Sequence, residues 1–312
     1  MENMGIKKTI LITGGTGFIG KNITEKIRND YNLIIISRKK NENKKGILHY
    51  QGDIRNIEIF EKIVSENKID TIIHLATYYK PKHNISEVSD MIDTNVKSVN
   101  NILEIMKKYK IKKLINTGTC FEYGIKKEKI TESTPLNPWN LYAETKVLAE
   151  HLINYYVKNS EIKAITLRLF PPFGIYDNPN KFIPYIISKA LKNEEIELTP
   201  CEQKWDFIFS EDIAYAYRRA LEYENFEGHE IFNIASGNVM EFKKIVEHII
   251  KQTRSNSIVK FEKLYRENEI MYLEADISKA KNILNWTPRY TIFEGINKTI
   301  NYLKGRDRYG NN

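Results

Sequence analysis

Tyr142 and Lys146 stand four residues apart in the segment Tyr142-Ala143-Glu144-Thr145-Lys146. On a helix that spacing puts a phenol and an ammonium on one face. A free phenol titrates near ~10 and is a poor acid or base at neutral pH, whereas a neighbouring ammonium stabilises the phenolate and brings it into range. The same ammonium can hold a ribose. Alone, such a pair is an ordinary exposed helix face, but two other stretches give it chemistry to perform. One is Thr13-Gly14-Gly15-Thr16-Gly17-Phe18-Ile19-Gly20, between the β-branched run Thr9-Ile10-Leu11-Ile12 and the helical spacing of Lys21 to Ile27. Strand, glycine turn and helix together make the setting of a dinucleotide-binding fingerprint, with the pyrophosphate at the helix N-terminus. Gly14 and Gly15 allow the sharp turn, Gly17 a close backbone approach, and Gly20 close helix packing. The other stretch is Asn116-Thr117-Gly118-Thr119, a hydroxyl-rich strand end. There Thr119 can hydrogen-bond the substrate oxygen that Tyr142 protonates, while Thr117 is expected to point back into the sheet.

The cofactor's identity is read from the end of the second strand. An acidic residue about 20 positions past the glycine turn would grip the adenosine ribose of NAD. This chain has Ser37-Arg38-Lys39-Lys40 there. A carboxylate would repel a 2′-phosphate, whereas Ser37 and Arg38 can bond and pair with one. NADP(H) is therefore expected, with NAD as the alternative. Asp53 and Ile54, after the third strand, are placed near the adenine, and Leu75, Ala76 and Thr77, after the fourth, complete the candidate cofactor set.

These residues need a scaffold, and the chain supplies an alternation of strands and helices. Strands are expected at 8–12, 32–37, 48–50, 71–75, 113–117 and 163–168, and helices at 21–27, 57–66, 86–109 and 142–158. Continuous apolar strands alternating with helices argue for a parallel, doubly wound sheet. After Arg168 the pattern breaks into shorter elements, with helices near 182–192, 211–222, 241–251, 278–284 and 292–303 and a frayed polar tail from Gly305. That change marks a smaller lobe. The 312 residues carry a net charge of +8, spread over scattered lysines, and only two cysteines, Cys120 and Cys201. Scattered lysines do not make a nucleic-acid surface, and two cysteines do not make a disulfide framework. No apolar run approaches a membrane span. The first strand begins almost at once, so no signal peptide is expected. A cytoplasmic protein with no metal site, no membrane and no nucleic-acid partner is expected.

The glycine fingerprint, His74-Leu75-Ala76, Asn95-Val96, Thr119…Tyr123-Gly124 and Tyr142-x-x-x-Lys146 together resemble the extended short-chain dehydrogenase/reductase family. Leu167-Arg168-Leu169-Phe170, Trp205-Asp206-Phe207-Ile208, Glu211-Asp212-Ile213-Ala214, Asn233-Ile234-Ala235-Ser236-Gly237 and Leu284-Asn285-Trp286-Thr287-Pro288 resemble its nucleotide-sugar branch. The resemblance implies an α/β fold, a doubly wound parallel Rossmann sheet with a smaller mixed α/β lobe. Residues 1–170 would bind NAD(P), with 206–235 returning to that domain, and 171–205 with 236–312 would bind the nucleotide-sugar. Tyr142 would be the acid/base, Lys146 its partner, Thr119 the hydroxyl donor, and Asn95 a helix-bending residue that helps position the lysine. Arg266 matches an arginine that binds the diphosphate. Cys120, Phe121, Pro171 and Lys204 join Thr119, Tyr142 and Arg266 as candidate substrate contacts.

Departures from the family pattern narrow the reaction. Dehydratases carry Asp-Glu directly after the catalytic threonine; Cys120 and Phe121 stand there and cannot eliminate water. Cys120 is expected to pack into the core as a small hydrophobe, by strand alternation. Pro171 replaces a frequent Asn, and Trp205, beside Lys204, replaces a frequent Arg. The first expectation is an NADPH-dependent reductase of a nucleoside-diphosphate 4-keto-6-deoxy sugar, serving surface-polysaccharide synthesis. An NAD-dependent 4-epimerase comes second, and a non-catalytic NADP-binding scaffold third. A homodimer through the helices at 86–109 and 142–158 is expected.

Overall fold

The computed structural model describes residues 7–80 and 82–309. In chain order it forms β1 (Thr9–Thr13), α1 (Phe18–Ile27), β2 (Asn32–Ser37), β3 (Ile47–Gln51), α2 (Ile57–Glu66), β4 (Thr71–His74), α3 (Val88–Ile92), α4 (Ser98–Tyr109), β5 (Lys113–Thr119), α5 (Leu141–Asn159) and β6 (Lys163–Leu169). Then come β7 (Pro172–Phe173), α6 (Phe182–Leu191), β8 (Ile196–Glu197), β9 (Lys204–Trp205), β10 (Ile208–Phe209), α7 (Ser210–Glu222) and β11 (His229–Ile234). The chain finishes with β12 (Met240–Glu241), α8 (Phe242–Thr253), β13 (Val259–Lys260), β14 (Tyr272–Leu273), α9 (Ser278–Leu284) and α10 (Ile292–Tyr309). Two compact units result: Met1–Gly124 with Pro135–Arg168 and Ala214–Phe232, and Ile125–Thr134 with Leu169–Ile213 and Asn233–Asn312.

The first unit is built on a seven-stranded parallel sheet of order β3-β2-β1-β4-β5-β6-β11. Its strands are apolar without alternation because both faces are covered; Ile10, Leu11 and Ile12 are all fully buried. On one face Leu11, Ile34, Ile72 and Leu114 pack against Phe60 and Ile63 of α2, Ile102 and Met106 of α4, and Ile153 of α5. β1 runs parallel to both β2 and β4, with Thr13 level with Ile36 on one side and His74 on the other. Strand order reverses there, the place where such sheets bind ligands at their carboxyl ends. Asparagine starts two of the helices. Asn56 caps α2 by accepting the Glu58 N–H, and Asn140 caps α5 by accepting the Ala143 N–H at 2.8 Å.

The helix expected at 86–109 is segmented into a 3-10 turn at Ile85–Glu87, α3, a π turn at Asp93–Lys97 and α4. β5 runs two residues further than expected, to Thr119, and a 3-10 turn, Cys120–Tyr123, follows.

The second unit has its own core, in which Ile186 and Ile187 of α6, Ile245 and Ile249 of α8, and Ile296 and Ile300 of α10 surround Phe173, Phe207 and Phe209. Two buried aspartates tie its loops together. Asp206 accepts bonds from the N–H groups of Ser236 and Gly237, and Asp212 accepts those of Arg289 and Tyr290. Both domain limits read from sequence shift. Residues 125–134 leave the first unit because Ile130 bridges Ala275. The return to the first unit begins at 214, not 206, because Ile208–Phe209 pairs with β7. α10 continues to Tyr309 where fraying was expected from Gly305, and Gly310–Asn312, like residues 1–6, lie outside the described residues. Among the described residues no helix is long and apolar enough to cross a membrane.

Candidate active site

The turn from β1 into α1 is shaped by what it must touch. Gly14 has φ +72°, and a Cβ there would lie 2.7 Å from Ala76 N. At Gly20 a Cβ would lie 2.3 Å from the Gly14 carbonyl oxygen, so only glycine lets α1 start this close to the strand. Thr13 joins the two strand ends: its hydroxyl bonds His74 Nδ1 at 2.7 Å and accepts the Leu75 and Ala76 N–H groups at 3.3 Å. Gly17 is the N-cap of α1 and offers no capping side chain. Thr16 and Gly17 are exposed, and Phe18 and Ile19 half-buried. A helix N-terminus without a capping side chain, behind a glycine-rich turn, fits a pyrophosphate. Burial holds the His74 imidazole down at about 3, with the Lys146 charge adding to the effect, so it is neutral.

At the end of β2 Arg38 is exposed and Ser37 half-buried. The Ser37 hydroxyl donates to Lys39 O at 2.7 Å and accepts from Asn41 Nδ2 at 2.8 Å. It must leave that turn to donate to a phosphate, so the charge offered here is that of Arg38. Asp53 is engaged differently from the sequence reading. Both its oxygens meet the Arg55 guanidinium, which holds its carboxyl below the ordinary range, and Arg55 also pairs with Asp90 at 2.6 Å. Ile54 is buried and belongs to the core beneath.

α5 carries Tyr142 and Lys146, both buried, at 7% and 4% exposure. Lys146 Nζ donates to Thr117 O at 3.1 Å. Burial lowers its affinity for a proton, and the Glu122 charge opposes that effect. Tyr142 lies edge-on to Tyr79 with ring centroids 4.8 Å apart. Its phenol is pushed well above its ordinary value, first by burial and then by Tyr79 and Glu122. The sequence reading expected the ammonium to lower it. Burial is the larger effect here, and the Lys146 ammonium bonds the Thr117 carbonyl.

Thr119 ends β5 and is buried at 7% exposure. Its oxygen accepts the Phe121 N–H at 3.4 Å as cap of the 3-10 turn. Thr117 turns inward, bonding His74 O and the Tyr217 hydroxyl. Cys120 is 1% exposed, a packed residue with no surface for a substrate. Phe121 is half-buried, edge-on to Trp139. Asn95 sits inside the π turn, where its carboxamide makes four bonds. Oδ1 accepts from Tyr78 N (2.7 Å) and Thr77 Oγ1 (2.9 Å); Nδ2 donates to Tyr78 O (3.1 Å) and Thr145 Oγ1 (2.9 Å). One side chain thus pins the loop after β4 to the helix that carries Lys146.

Sequence reasoning missed Tyr78, Tyr79, Thr145 and a buried ionic cluster of Glu122, Arg168 and Glu150. Tyr79 could have been found only as an aromatic close behind His74-Leu75-Ala76; the cluster has no sequence signal, since Arg168 lies 46 residues from Glu122. In the second unit Pro171 is buried and its carbonyl accepts the Ile208 N–H. Lys204 is exposed on β9, which pairs with β14, and Arg266 is exposed in the segment leading to β14. Trp205 donates its indole N–H to Ile270 O at 2.6 Å and faces Phe207 and Phe242, a packing role that its arginine counterpart would not fill.

The chain is similar to known proteins over most of its length. Residues 10–235 match the model of the NAD dependent epimerase/dehydratase family. A putative UDP-glucose 4-epimerase of Methanocaldococcus jannaschii is 32% identical, covering 96% of this chain and 99% of the relative. A dTDP-4-dehydro-6-deoxyglucose reductase of Escherichia coli is 30% identical, covering 96% and 98%. The crystal structure of the UDP-glucose 4-epimerase of Thermotoga maritima with UDP-glucose superposes with a TM-score of 0.87 at 24% identity, over 95% of this chain and 99% of that one.

Proposed function

The chain belongs to the NAD dependent epimerase/dehydratase family, a family of NAD(P)-dependent enzymes, and on that premise we propose that it reduces the C4 ketone of a nucleoside-diphosphate 4-keto-6-deoxy sugar with NADPH. The observation that carries this reading is Ser37-Arg38 at the carboxyl end of β2, where an acidic residue would select NAD. The 30% identity to a reductase that acts, by its name, on a 4-dehydro-6-deoxyglucose nucleotide supports it.

Gly14, Gly17 and the N-terminus of α1 would hold the pyrophosphate, Arg38 the 2′-phosphate, and Lys146 the nicotinamide ribose. Leu75, Ala76 and Thr77 would flank the cofactor. When bound, the cofactor supplies the hydride that C4 receives. Tyr142, kept protonated by burial, gives its phenol proton to the C4 oxygen. Thr119 donates a hydrogen bond to the same oxygen, and Lys146 stabilises the phenolate that remains. Arg266 and Lys204 are assigned to the substrate diphosphate. Cys120 and Phe121 replace the acid pair that elimination would need, so water is not lost. The enzyme is placed in the cytoplasm as a homodimer, for which the exposed Leu148 and Tyr155 on α5 offer an apolar face.

A 4-epimerase is the second reading, favoured by the 32% identity to the Methanocaldococcus protein. The two readings part on cofactor turnover. The purified chain is given NADPH with dTDP-4-keto-6-deoxyglucose or with CDP- and UDP-linked 4-keto sugars, and separately UDP-glucose with NAD. Stoichiometric NADPH oxidation supports the reductase. Interconversion of UDP-glucose and UDP-galactose without net cofactor change replaces it with the epimerase.

A further inference from the structure

Tyr79 is a large aromatic residue left 46% exposed, yet it is held in place. The residues on both sides of it are tied down. Before it, Thr77 Oγ1 donates to Asn95 Oδ1 at 2.9 Å, and Tyr78 puts both its backbone groups on the same carboxamide, at 2.7 and 3.1 Å. After it, Lys80 Nζ pairs with Glu87 Oε1 at 3.1 Å, the oxygen that also accepts the Tyr78 hydroxyl at 3.2 Å. Glu87 is fixed in turn, because its other oxygen accepts the Asn84 N–H at 2.9 Å. On the sheet face packed by α2, α4 and α5, the apolar core takes in Ala76 and not Tyr79. An aromatic ring stabilises a fold by the area it buries, so one anchored with nearly half its surface in water gains the fold little.

The ring stands against Tyr142, with centroids 4.8 Å apart and planes at 89°. The Tyr142 proton goes to a sugar oxygen, so a ring in contact with this side chain borders the carbons next to that oxygen. Thr119, assigned to the same oxygen, has aromatic neighbours as well. Its Oγ1 accepts the Phe121 N–H, and Phe121 lies edge-on to the exposed Trp139 at 6.4 Å. Trp139 directly precedes Asn140, the cap of the helix that carries Tyr142. Aromatic rings therefore stand beside both groups that meet the substrate oxygen. A hexose has hydroxyl edges and a carbon face of C–H bonds, and a 6-deoxy hexose adds a methyl. Such carbon surface is what an aromatic wall covers, while a few placed polar groups fix the orientation.

We propose that Tyr79 is a specificity-determining residue of the sugar subsite: its ring packs on the carbon face of the hexose whose C4 oxygen Tyr142 and Thr119 bond. The proposal rests on the reading of the chain as a nucleotide-sugar enzyme with Tyr142 at C4, and it holds for a reductase and a 4-epimerase alike, so its test does not use turnover. Calorimetric titration of the full chain, saturated with NADP+, compares dTDP, CDP and UDP, each bare and carrying 4-keto-6-deoxyglucose, together with UDP-glucose. The ratio of the bare nucleotide's dissociation constant to that of its sugar form isolates the sugar.

Tyr79→Ala lowers that ratio roughly tenfold. It leaves the affinity for the bare nucleotide, the affinity for NADP+ and the melting temperature as in the wild type. Tyr79→Phe keeps the wild-type ratio, because the ring remains. An unchanged ratio in Tyr79→Ala overturns the proposal. So does a loss shared by the bare nucleotide, which makes the residue structural, or a loss of NADP+ affinity, which gives the ring to the nicotinamide. A Tyr79→Phe variant that falls with Tyr79→Ala overturns it too, by making the hydroxyl the contact. A wild type that binds none of these nucleotides in either form refutes the nucleotide-sugar reading itself, and the proposal falls with it.

Discussion

Replacing Asn95 with alanine tests whether one carboxamide couples the loop after β4 to the catalytic helix. The variant loses four hydrogen bonds, two to Tyr78, one to Thr77 and one to Thr145. At ~1 kcal/mol net for each bond the ceiling is about 4 kcal/mol. Two effects reduce it. Thr145 keeps its bond to Tyr142 O at 2.7 Å, and Thr77 is exposed enough to bond water instead. Asn95 itself is buried at 1%, so the space it leaves stays costly. The expected loss is therefore about 2–3 kcal/mol. Urea unfolding followed by circular dichroism measures it. The catalytic effect is separable. With Tyr78 and Thr77 released, the loop carrying Tyr79 no longer holds its place beside Tyr142, so kcat falls, and NADPH affinity falls with it because Thr77 is among the residues assigned to flank the cofactor. Hydrogen exchange at residues 93–97 should rise as the π turn relaxes. A variant within ~0.5 kcal/mol of wild type and with unchanged kcat would refute the coupling, because four satisfied bonds cannot vanish at that cost.

Other outcomes follow from the same site. Arg38→Ala should weaken NADPH by about 1.5–3 kcal/mol, the worth of a charge-assisted bond, and leave NADH alone; equal wild-type affinities for the two cofactors, measured by fluorescence titration, would sink the NADP assignment. Tyr142→Phe should abolish turnover and spare NADPH binding, whereas Lys146→Ala should damage both; near-normal turnover in the first variant would remove Tyr142 from the mechanism. Burial lowers His74 from 6.5 to about 3, so the unfolded chain takes up the extra proton, and its stabilisation is full above pH 6.5 and lost as the pH falls towards 3. Between pH ~7 and ~5 the wild type should lose about 2 kcal/mol more than His74→Gln on urea unfolding, and equal losses would show the imidazole is not buried neutral. Leu148→Glu should turn the expected dimer into monomers by light scattering, and a wild type that is already monomeric would dismiss the dimer.

The features legible in sequence are those fixed by short-range spacing. The β1 turn and α1 were marked by glycines, the Tyr142 and Lys146 pair by a single helical turn, and the sheet by apolar runs recurring between helices. Thr117 and Thr119 lie two apart on β5, where strand alternation alone would put them on one face, so the choice between them did not come from spacing. What escaped depends on contacts between distant residues. The resemblance marked Asn95 as helix-bending, but spacing did not show its partners, three residues that lie 17 to 50 positions away. The shift of residues 125–134 into the second unit turns on distant contacts: the bridge from Ile130 to Ala275, the bonds of Asn233 to Ile130 and Glu132, and the Lys129–Glu274 pair. The phenol's direction was misread because spacing shows that Lys146 is near Tyr142 but not where its ammonium points. Asp206 and Asp212 stand in two segments that carried the resemblance, and spacing did not show that their oxygens accept backbone N–H groups of the same unit.

Both units are discontinuous along the chain, and this sets a schedule for synthesis. Lys113 of β5 buries its ammonium against the carbonyls of Leu221 and Tyr223, 108 and 110 residues later. At ~5–20 residues per second, that lysine waits about 5–20 s for its partners to leave the ribosome. Thr117 waits similarly for the Tyr217 hydroxyl, and β6 for β11. During that interval the nascent sheet has an unpaired edge strand, the kind of surface that recruits chaperones or a second nascent copy. A fragment cut at residue 170 would be held permanently in this state, with the dinucleotide turn intact and the sheet unable to close. Synonymous codons that slow translation between 170 and 234 should therefore lower soluble yield more than the same codons placed after 240.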